Sequence, residues 1–161
     1  MTSSSPAIEH VVIYADGCCL GNPGPGGYGT VLKWGEHRKE LSGGFARTTN
    51  NRMELLGAVV GLEALQGQRN VKLHSDSQYL VKAMEEGWVH KWKRLGWMRN
   101  AKEAAVNPDI WQRLLDACKG HEVKFIWVRG HSGNVENERC DVLAKAAAKL
   151  PDLPPDAGFR G

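Results

Sequence analysis

Val71-Lys72-Leu73-His74-Ser75-Asp76 alternates apolar and polar residues and runs without a spacer into Ser77-Gln78-Tyr79-Leu80-Val81-Lys82-Ala83-Met84. The first segment has the two-residue period of a strand, and Ser77 to Met84 starts a helix directly after it. A strand feeding straight into a helix is the repeating unit of α/β sheets. Upstream, Met53, Leu56, Val60 and Ala64 recur at helical spacing with Leu55, Val59 and Leu62 beside them, so residues 51 to 66 read as an amphipathic helix that Gly67 stops. Before it, β-branched and aromatic residues 8 to 16 read as a strand ending at Gly17. The run Gly21-Asn22-Pro23-Gly24-Pro25-Gly26-Gly27 reads as a turn. Tyr28 to Trp34 and Glu40 to Phe45 read as two more strands joined around Gly35-Glu36-His37, and links this short imply an antiparallel meander. Downstream, residues 108 to 118 read as a helix entered through Asn107-Pro108, Val123 to Val128 as a fifth strand, and Glu136 to Leu150 as an alanine-rich helix. The expected architecture is an α/β domain with a mixed five-stranded sheet, three antiparallel strands followed by parallel β-α units, and helices on both faces.

Composition agrees with one such domain. At 161 residues the chain is long enough to bury a core without disulfides, and 42% apolar with 24% charged residues excludes disorder as a whole. No stretch approaches the ~18 apolar residues of a membrane span, and Met1-Thr2-Ser3-Ser4-Ser5-Pro6 lacks the basic and apolar regions of a secretory signal. The cytoplasm is the expected location. Cys18 and Cys19 are adjacent, Cys118 and Cys140 isolated, and no C-x-x-C pair offers zinc a seat, so all four read as free thiols. Residues 1 to 7 read as a disordered N-terminal tail, and Pro151, Pro154 and Pro155 mark residues 151 to 161 as a poorly ordered C-terminal tail.

Charge is uneven. Lys91, Lys93, Arg94, Arg99 and Lys102 lie within residues 88 to 102, which hold none of the 18 acids, so the rest of the chain carries a net charge of −2. Trp88, Trp92 and Trp97 interleave with these cations. Cations that neutralise phosphates beside aromatic faces that pack on sugars or bases suit a nucleic acid. The plain alternative is an amphipathic helix with buried tryptophans and solvated lysines.

Ligands of open α/β sheets collect at the carboxyl ends of strands, where Asp16 and Asp76 stand. Singly, each acid has an ordinary explanation. Asp76 or Ser77 could cap the following helix, Asn51-Arg52-Met53-Glu54 resembles a capping box, and Asp141 could pair with Lys145 one turn on. Together, four carboxylates gathered at one end of a sheet would repel one another unless divalent cations held them, and all-oxygen ligands suit Mg²⁺ or Mn²⁺ rather than zinc. Two such ions ~4 Å apart activate a water and stabilise the leaving oxygen at phosphorus, which is nuclease chemistry.

The stretch from Tyr14 to Gly29, with Thr48-Thr49-Asn50-Asn51-Arg52-Met53-Glu54-Leu55, Ser75-Asp76-Ser77-Gln78-Tyr79, Gly130-His131-Ser132-Gly133 and Glu136-Asn137-Glu138-Arg139-Cys140-Asp141, resembles the bacterial cellular ribonuclease HI family in order and spacing. The resemblance covers residues 8 to 150. It implies the ribonuclease H-like fold and a metal-dependent endoribonuclease that hydrolyses the RNA strand of RNA/DNA hybrids, leaving 5′-phosphate and 3′-hydroxyl ends. It also implies that Asp16, Glu54, Asp76 and Asp141 are catalytic and hold two Mg²⁺ ions, with Mn²⁺ able to substitute, and that His131 moves protons or helps product leave. By the same resemblance Cys19, Asn22, Asn50 and Gln78 lie along the RNA minor groove, Thr49 and Asn51 near the DNA strand. Trp88, Lys91, Trp92, Lys93 and Arg94 then belong to a basic substrate-binding handle. The partner implied is the hybrid duplex, with no membrane and no obligate protein partner, the enzyme acting as a monomer. Two departures stand out: Cys18 where relatives often carry serine, and Asn134-Val135 in place of a common His-Pro pair. The competing readings are a non-catalytic hybrid-binding module, which would be expected to lack at least one acid, and a related polynucleotidyl transferase or resolvase acting on DNA.

Overall fold

A computed structural model describes residues 9–161; the tail expected over residues 1 to 7 lies outside them. The elements run β1 (Glu9–Cys19), β2 (Gly24–Trp34), β3 (His37–Thr48), α1 (Asn50–Glu63), β4 (Arg69–Ser75), α2 (Gln78–Glu85), α3 (Trp88–Arg94), α4 (Pro108–Cys118), β5 (Glu122–Trp127) and α5 (Val135–Ala148). They build one five-stranded sheet of order β3-β2-β1-β4-β5. β1 pairs antiparallel with β2, and β2 with β3, as links of a few residues require. The β1–β4 and β4–β5 pairs are parallel, with crossovers through α1 and through α2 to α4. The mixed sheet is as the sequence predicts.

The core forms on one side of the sheet, where Ile13, Leu73 and Phe125 of adjacent strands meet Met53, Leu55, Val59 and Leu62 of α1 and Trp111 and Leu114 of α4. α5 packs on β1, β2 and β3 through small residues, Cys140, Ala144, Ala147 and Ala148, all buried. Small side chains bring a helix close to a sheet, and that closeness corrects one expectation. Gly24 to Gly27, which read as turn on composition, belong to β2, and the turn is confined to the residues before Gly24. A Cβ on Gly27 would stand 2.5 Å from the Ala144 carbonyl oxygen and 2.8 Å from the Ala148 nitrogen, so the glycine is there for helix contact rather than for chain reversal. Gly27→Ala is therefore expected to cost about 1–3 kcal/mol of stability by forcing α5 outward; urea unfolding measures it, and an unchanged midpoint would contradict the contact.

The C-terminal segment also departs from expectation. Rather than hanging free, it lies along β3 and the start of α1: the Ala46 amide donates to the Pro154 carbonyl (2.8 Å), and Thr48 Oγ1 donates to Asp156 Oδ2 (2.7 Å). Proline spacing misleads here because it reports only that the chain cannot continue a helix, not whether a groove receives it. Among the described residues no helix is long and apolar enough to cross a membrane.

Candidate active site

Asp16, Glu54 and Asp76 each place a carboxylate oxygen within 4.8 Å of the others. Parallel pairing of β1 and β4 sets Ala15 opposite Ser75, so the residues that follow come side by side: Asp76 just past the end of β4, and Asp16 still within β1, which runs on to Cys19 rather than ending at Gly17 as expected. Glu54 arrives from α1, and Gly17 lets it: a Cβ there would stand 2.4 Å from the Glu54 nitrogen and from the Met53 carbonyl carbon. The capping explanations fall away. Thr49, not Asn51, caps α1 by accepting from the Arg52 amide, and Ser77, not Asp76, caps α2 by accepting from the Leu80 amide. The acids are thus left without the structural duties the sequence alone allows them.

Their environment is costly for negative charge. Asp16 is 4% exposed, and its carboxyl is pushed up to about 8 by burial first and then by the charge of Asp76, against one lowering hydrogen bond from the Gly17 amide. Glu54 is driven well above its ordinary range by burial and by Asp16 and Asp76. Its Oε2 is buried with no hydrogen-bond partner. Three hard oxygen donors, mutually repelling and one of them unsatisfied, fit a divalent cation such as Mg²⁺.

Asp141 stands on α5 and makes the expected ion pair with Lys145 (2.9 Å). It is not within the tight group of three, yet its charge reaches Asp16, Glu54 and Cys18 and raises all three. Between β5 and α5, His131 is exposed and holds a left-handed φ of 55°, between Gly130 and Gly133. This loop passes the acids closely: a Cβ on Gly130 would stand 2.9 Å from Asp76 Oδ2, and Trp127 Nε1 donates to the Asp76 carbonyl (3.1 Å). Asn134, one of the two departures, caps α5 by accepting from the Asn137 amide.

The other predicted residues fall into two groups, one at the β1–β2 turn and the helix starts, the other on α3. Cys19 donates its thiol to the Gly24 and Thr48 carbonyls (both 3.2 Å), and Asn22 Oδ1 accepts from the Asn50 amide (3.1 Å), so the β1–β2 turn is tied to the start of α1. Gln78 is exposed at the first position of α2. Within the basic segment, α3 exposes Lys91, Lys93 and Arg94, while Trp88 is 37% exposed and Trp92 only 8%. Trp92 packs edge-on against Trp111 at 5.9 Å and serves the core as well as the surface. Trp97 is also partly buried against it. A cleft of about 460 Å³ lies among Tyr79, Trp88, Lys91, Trp92 and Arg99.

A second cleft, about 530 Å³, opens beside Asn22, Thr49 and Asn51. Its floor is Arg52, a side chain 3% exposed whose guanidinium reaches Asp109 through Nη1 and Nη2 (3.0 and 2.7 Å) and Asp156 through Nε and Nη2 (2.7 and 3.1 Å). Burial raises the Asp156 carboxyl, but Arg52 and Thr48 outweigh it and hold it below its ordinary range. Nothing in the amino-acid pattern singles out Arg52, Asp109 or Asp156. An arginine in a helix's first turn and an acid in a proline-rich tail carry no local signal of meeting.

Comparison with known proteins agrees with this geometry. The family model described as RNase H matches residues 8–149. Ribonuclease H of Syntrophus aciditrophicus is 60% identical over 158 residues, covering 98% of this chain and 91% of that protein. The ribonuclease H of Desulforamulus reducens is 59% identical over 155 residues, with 96% and 98% covered. Among solved structures, LC9-RNase H1, a type 1 RNase H with the type 2 active-site motif, superposes with a TM-score of 0.79 at 34% identity, covering 90% of this chain and 74% of that one. LC11-RNase H1 in complex with RNA/DNA hybrid shares the fold at a TM-score of 0.63 and 21% identity, with 86% and 96% covered.

Proposed function

The chain belongs to the ribonuclease H family, and from that membership we propose that it hydrolyses the RNA strand of RNA/DNA hybrids with Mg²⁺ as its working metal, leaving 5′-phosphate and 3′-hydroxyl ends. The observation that carries the reading is the group Asp16, Glu54 and Asp76, the first buried and the other two half-buried, which leaves one Glu54 oxygen without a partner and is well suited as a set of cation ligands. Asp141, across from it on α5, completes the set. Two hard divalent ions bound there would supply the positive charge that activates a water for in-line attack at phosphorus and steadies the departing oxygen.

The chain's own residues do the rest. His131, exposed on the loop that touches Asp76, moves protons or helps product leave in this reading. Asn22, Asn50 and Gln78, with the main chain around Cys19, would supply the donors and acceptors that distinguish a 2′-hydroxyl from hydrogen. Thr49 and Asn51 face the DNA strand. Trp88, Lys91, Lys93 and Arg94 grip phosphates and sugars farther along, with Trp92 holding the α3 platform onto the core. A monomer acting in the cytoplasm is part of this reading, and the free thiols of Cys18, Cys19, Cys118 and Cys140 suit that reducing compartment.

The test is a gel assay with end-labelled RNA/DNA hybrid beside single-stranded RNA, duplex RNA and duplex DNA, each with Mg²⁺ or EDTA. Metal-dependent cutting of only the hybrid's RNA strand is expected. Binding without cutting under both Mg²⁺ and Mn²⁺ would make the chain a binding module, and cutting of duplex DNA would make it a relative with another substrate. The handle has its own test. Replacing Lys91, Lys93 and Arg94 together with glutamine is expected to raise KM and to flatten its dependence on salt, by up to about 0.9 in log–log slope for each phosphate no longer neutralised, while kcat holds. An unchanged slope would make the segment a solvated face.

A further inference from the structure

Resting on the hybrid-cleaving reading, we infer that Arg38 and Glu40 of β3 are positioning residues for cleavage, acting through Glu136 and Arg139 to hold the first part of α5, and so to set where Asp141 and the end of the His131 loop stand. α5 is fastened differently along its length. From Cys140 on it is buried through Cys140, Ala144, Ala147 and Ala148, which lie against glycines of β2 and β3. A Cβ on Gly29 would stand 2.3 Å from the Cys140 carbonyl oxygen, and one on Gly44 2.8 Å from that of Ala147. The Cys140 thiol also donates to the Tyr14 carbonyl (3.3 Å). Before Cys140 such packing gives out. Of Val135 to Arg139 only Asn137 is buried, its Oδ1 has no hydrogen-bond partner among the described residues, and Val135 is exposed.

Ion pairs take the place of packing there. Arg38 donates to Glu136 through Nε and Nη2 (3.1 and 2.8 Å), and Lys33 of β2 reaches the same carboxylate (3.3 Å). Arg139 donates to Glu40 through Nε and Nη2 (2.7 and 2.9 Å), and Arg38 Nη2 closes the chain on Glu40 (2.9 Å). Arg38 beside Glu136 and Arg139 beside Glu40 hold both carboxyls below their ordinary ranges, Glu40 down to about 2. A single exposed pair contributes little, because two long side chains lose freedom to make it. A network across β2, β3 and α5 with two bidentate links differs, since it fixes an orientation as well as a distance. What it orients follows from the chain. Glu136 lies two residues after Asn134, the cap that ends the His131 loop, and Arg139 two residues before Asp141. Asp141 stands outside the tight group of three acids, so its reach toward them depends on the tilt of α5. Arg38 and Glu40 act through that helix.

The experiment measures kcat and KM for hybrid cleavage well below Tm, together with amide NMR spectra of the same proteins without metal. A displacement of ~1 Å at a reacting group can cost about a hundredfold in rate, so a smaller tilt of α5 in Arg38→Gln or Glu40→Gln is expected to lower kcat about three- to tenfold with KM held within about twofold. Arg38→Lys, which keeps the charge and loses the fork, should recover part of kcat. Adding Glu136→Gln to Arg38→Gln should cost less than the product of the two single effects, as for two ends of one interaction. In the spectra, Arg38→Gln should shift the amides of His131 and Asp141, neither of which it pairs with, and leave those of Ile13 and Leu73 in place. Arg113→Gln is the control: it breaks a two-pronged pair of the same kind, with Glu63 (2.8 and 2.7 Å), between α4 and α1, and should leave kcat as it is. If Arg38→Gln keeps its kcat, whatever its Tm, or raises only KM, the network is a surface brace and the proposal fails. It fails equally if kcat falls without the amide shifts, or if Arg113→Gln lowers kcat as much. A wild-type protein that cuts no hybrid would overturn the proposed function instead, and the amide shifts would still decide whether Arg38 sets the place of Asp141.

Discussion

Asp76→Asn is expected to abolish hybrid cleavage, lowering the rate by a factor of about a thousand or more, while the fold stays intact. The first half follows from charge: the substitution removes one of three carboxylates that meet within 4.8 Å and replaces an anionic ligand with a neutral amide. Loss of the metal's contribution to the transition state removes several kcal/mol, and each 1.4 kcal/mol or so is tenfold in rate. The second half follows from what Asp76 does not do. Ser77 caps α2, and the Ser75 hydroxyl accepts from the Ser77 amide at 3.1 Å, so the turn keeps its hydrogen bonds without the carboxylate. The Asp76 carbonyl still accepts from Trp127. Circular dichroism and Tm should match the wild type to within a few degrees. Substantial Mg²⁺-dependent cutting by the variant would refute the role given to Asp76.

The two-residue and 3.6-residue periods are enough to order the strands and helices, because the meander and the β-α units bury their apolar positions on regular faces. They fail where one element's composition answers to another. Gly24 to Gly27 is turn-like in composition, but what uses Gly27 is α5, more than a hundred residues downstream. The same limit applies at the site. Asp16, Glu54 and Asp76 are legible as a set only through their order and spacing, since each also fits a cap or turn; the caps at Thr49 and Ser77 remove that ambiguity and are visible only in three dimensions. Arg52, Asp109 and Asp156 are beyond reach altogether. They are brought together by the packing of α1 on α4 and by the return of the C-terminal segment, and no period or motif encodes that meeting.

In the metal-free protein, the same carboxylates should make stability fall as pH rises. Asp16 has an ordinary value of 3.8 and stands at about 8 when folded, so between these limits the native state holds a proton that the unfolded chain has released. Stability falls with pH wherever the native state binds more protons, hence from about pH 4 through about pH 8, and Glu54, shifted in the same direction, adds to the slope. Below the lower limit both states are protonated and the penalty is absent; above the upper limit it is complete. The expected loss is several kcal/mol, seen as a decrease in Tm of about 10 °C between pH 5 and pH 8 in EDTA. Asp16→Asn carries no charge to bury and should remove part of this decline, leaving the share of Glu54, while eliminating cleavage, so that the inactive variant is the more stable protein at pH 8. Mg²⁺ should restore the wild type at high pH and do little for the variant, because the cation is attracted to ionised ligands. A metal-free Tm that rises from pH 5 to pH 8, or one that Asp16→Asn leaves unaltered, would mean that the acids are not held under the strain described.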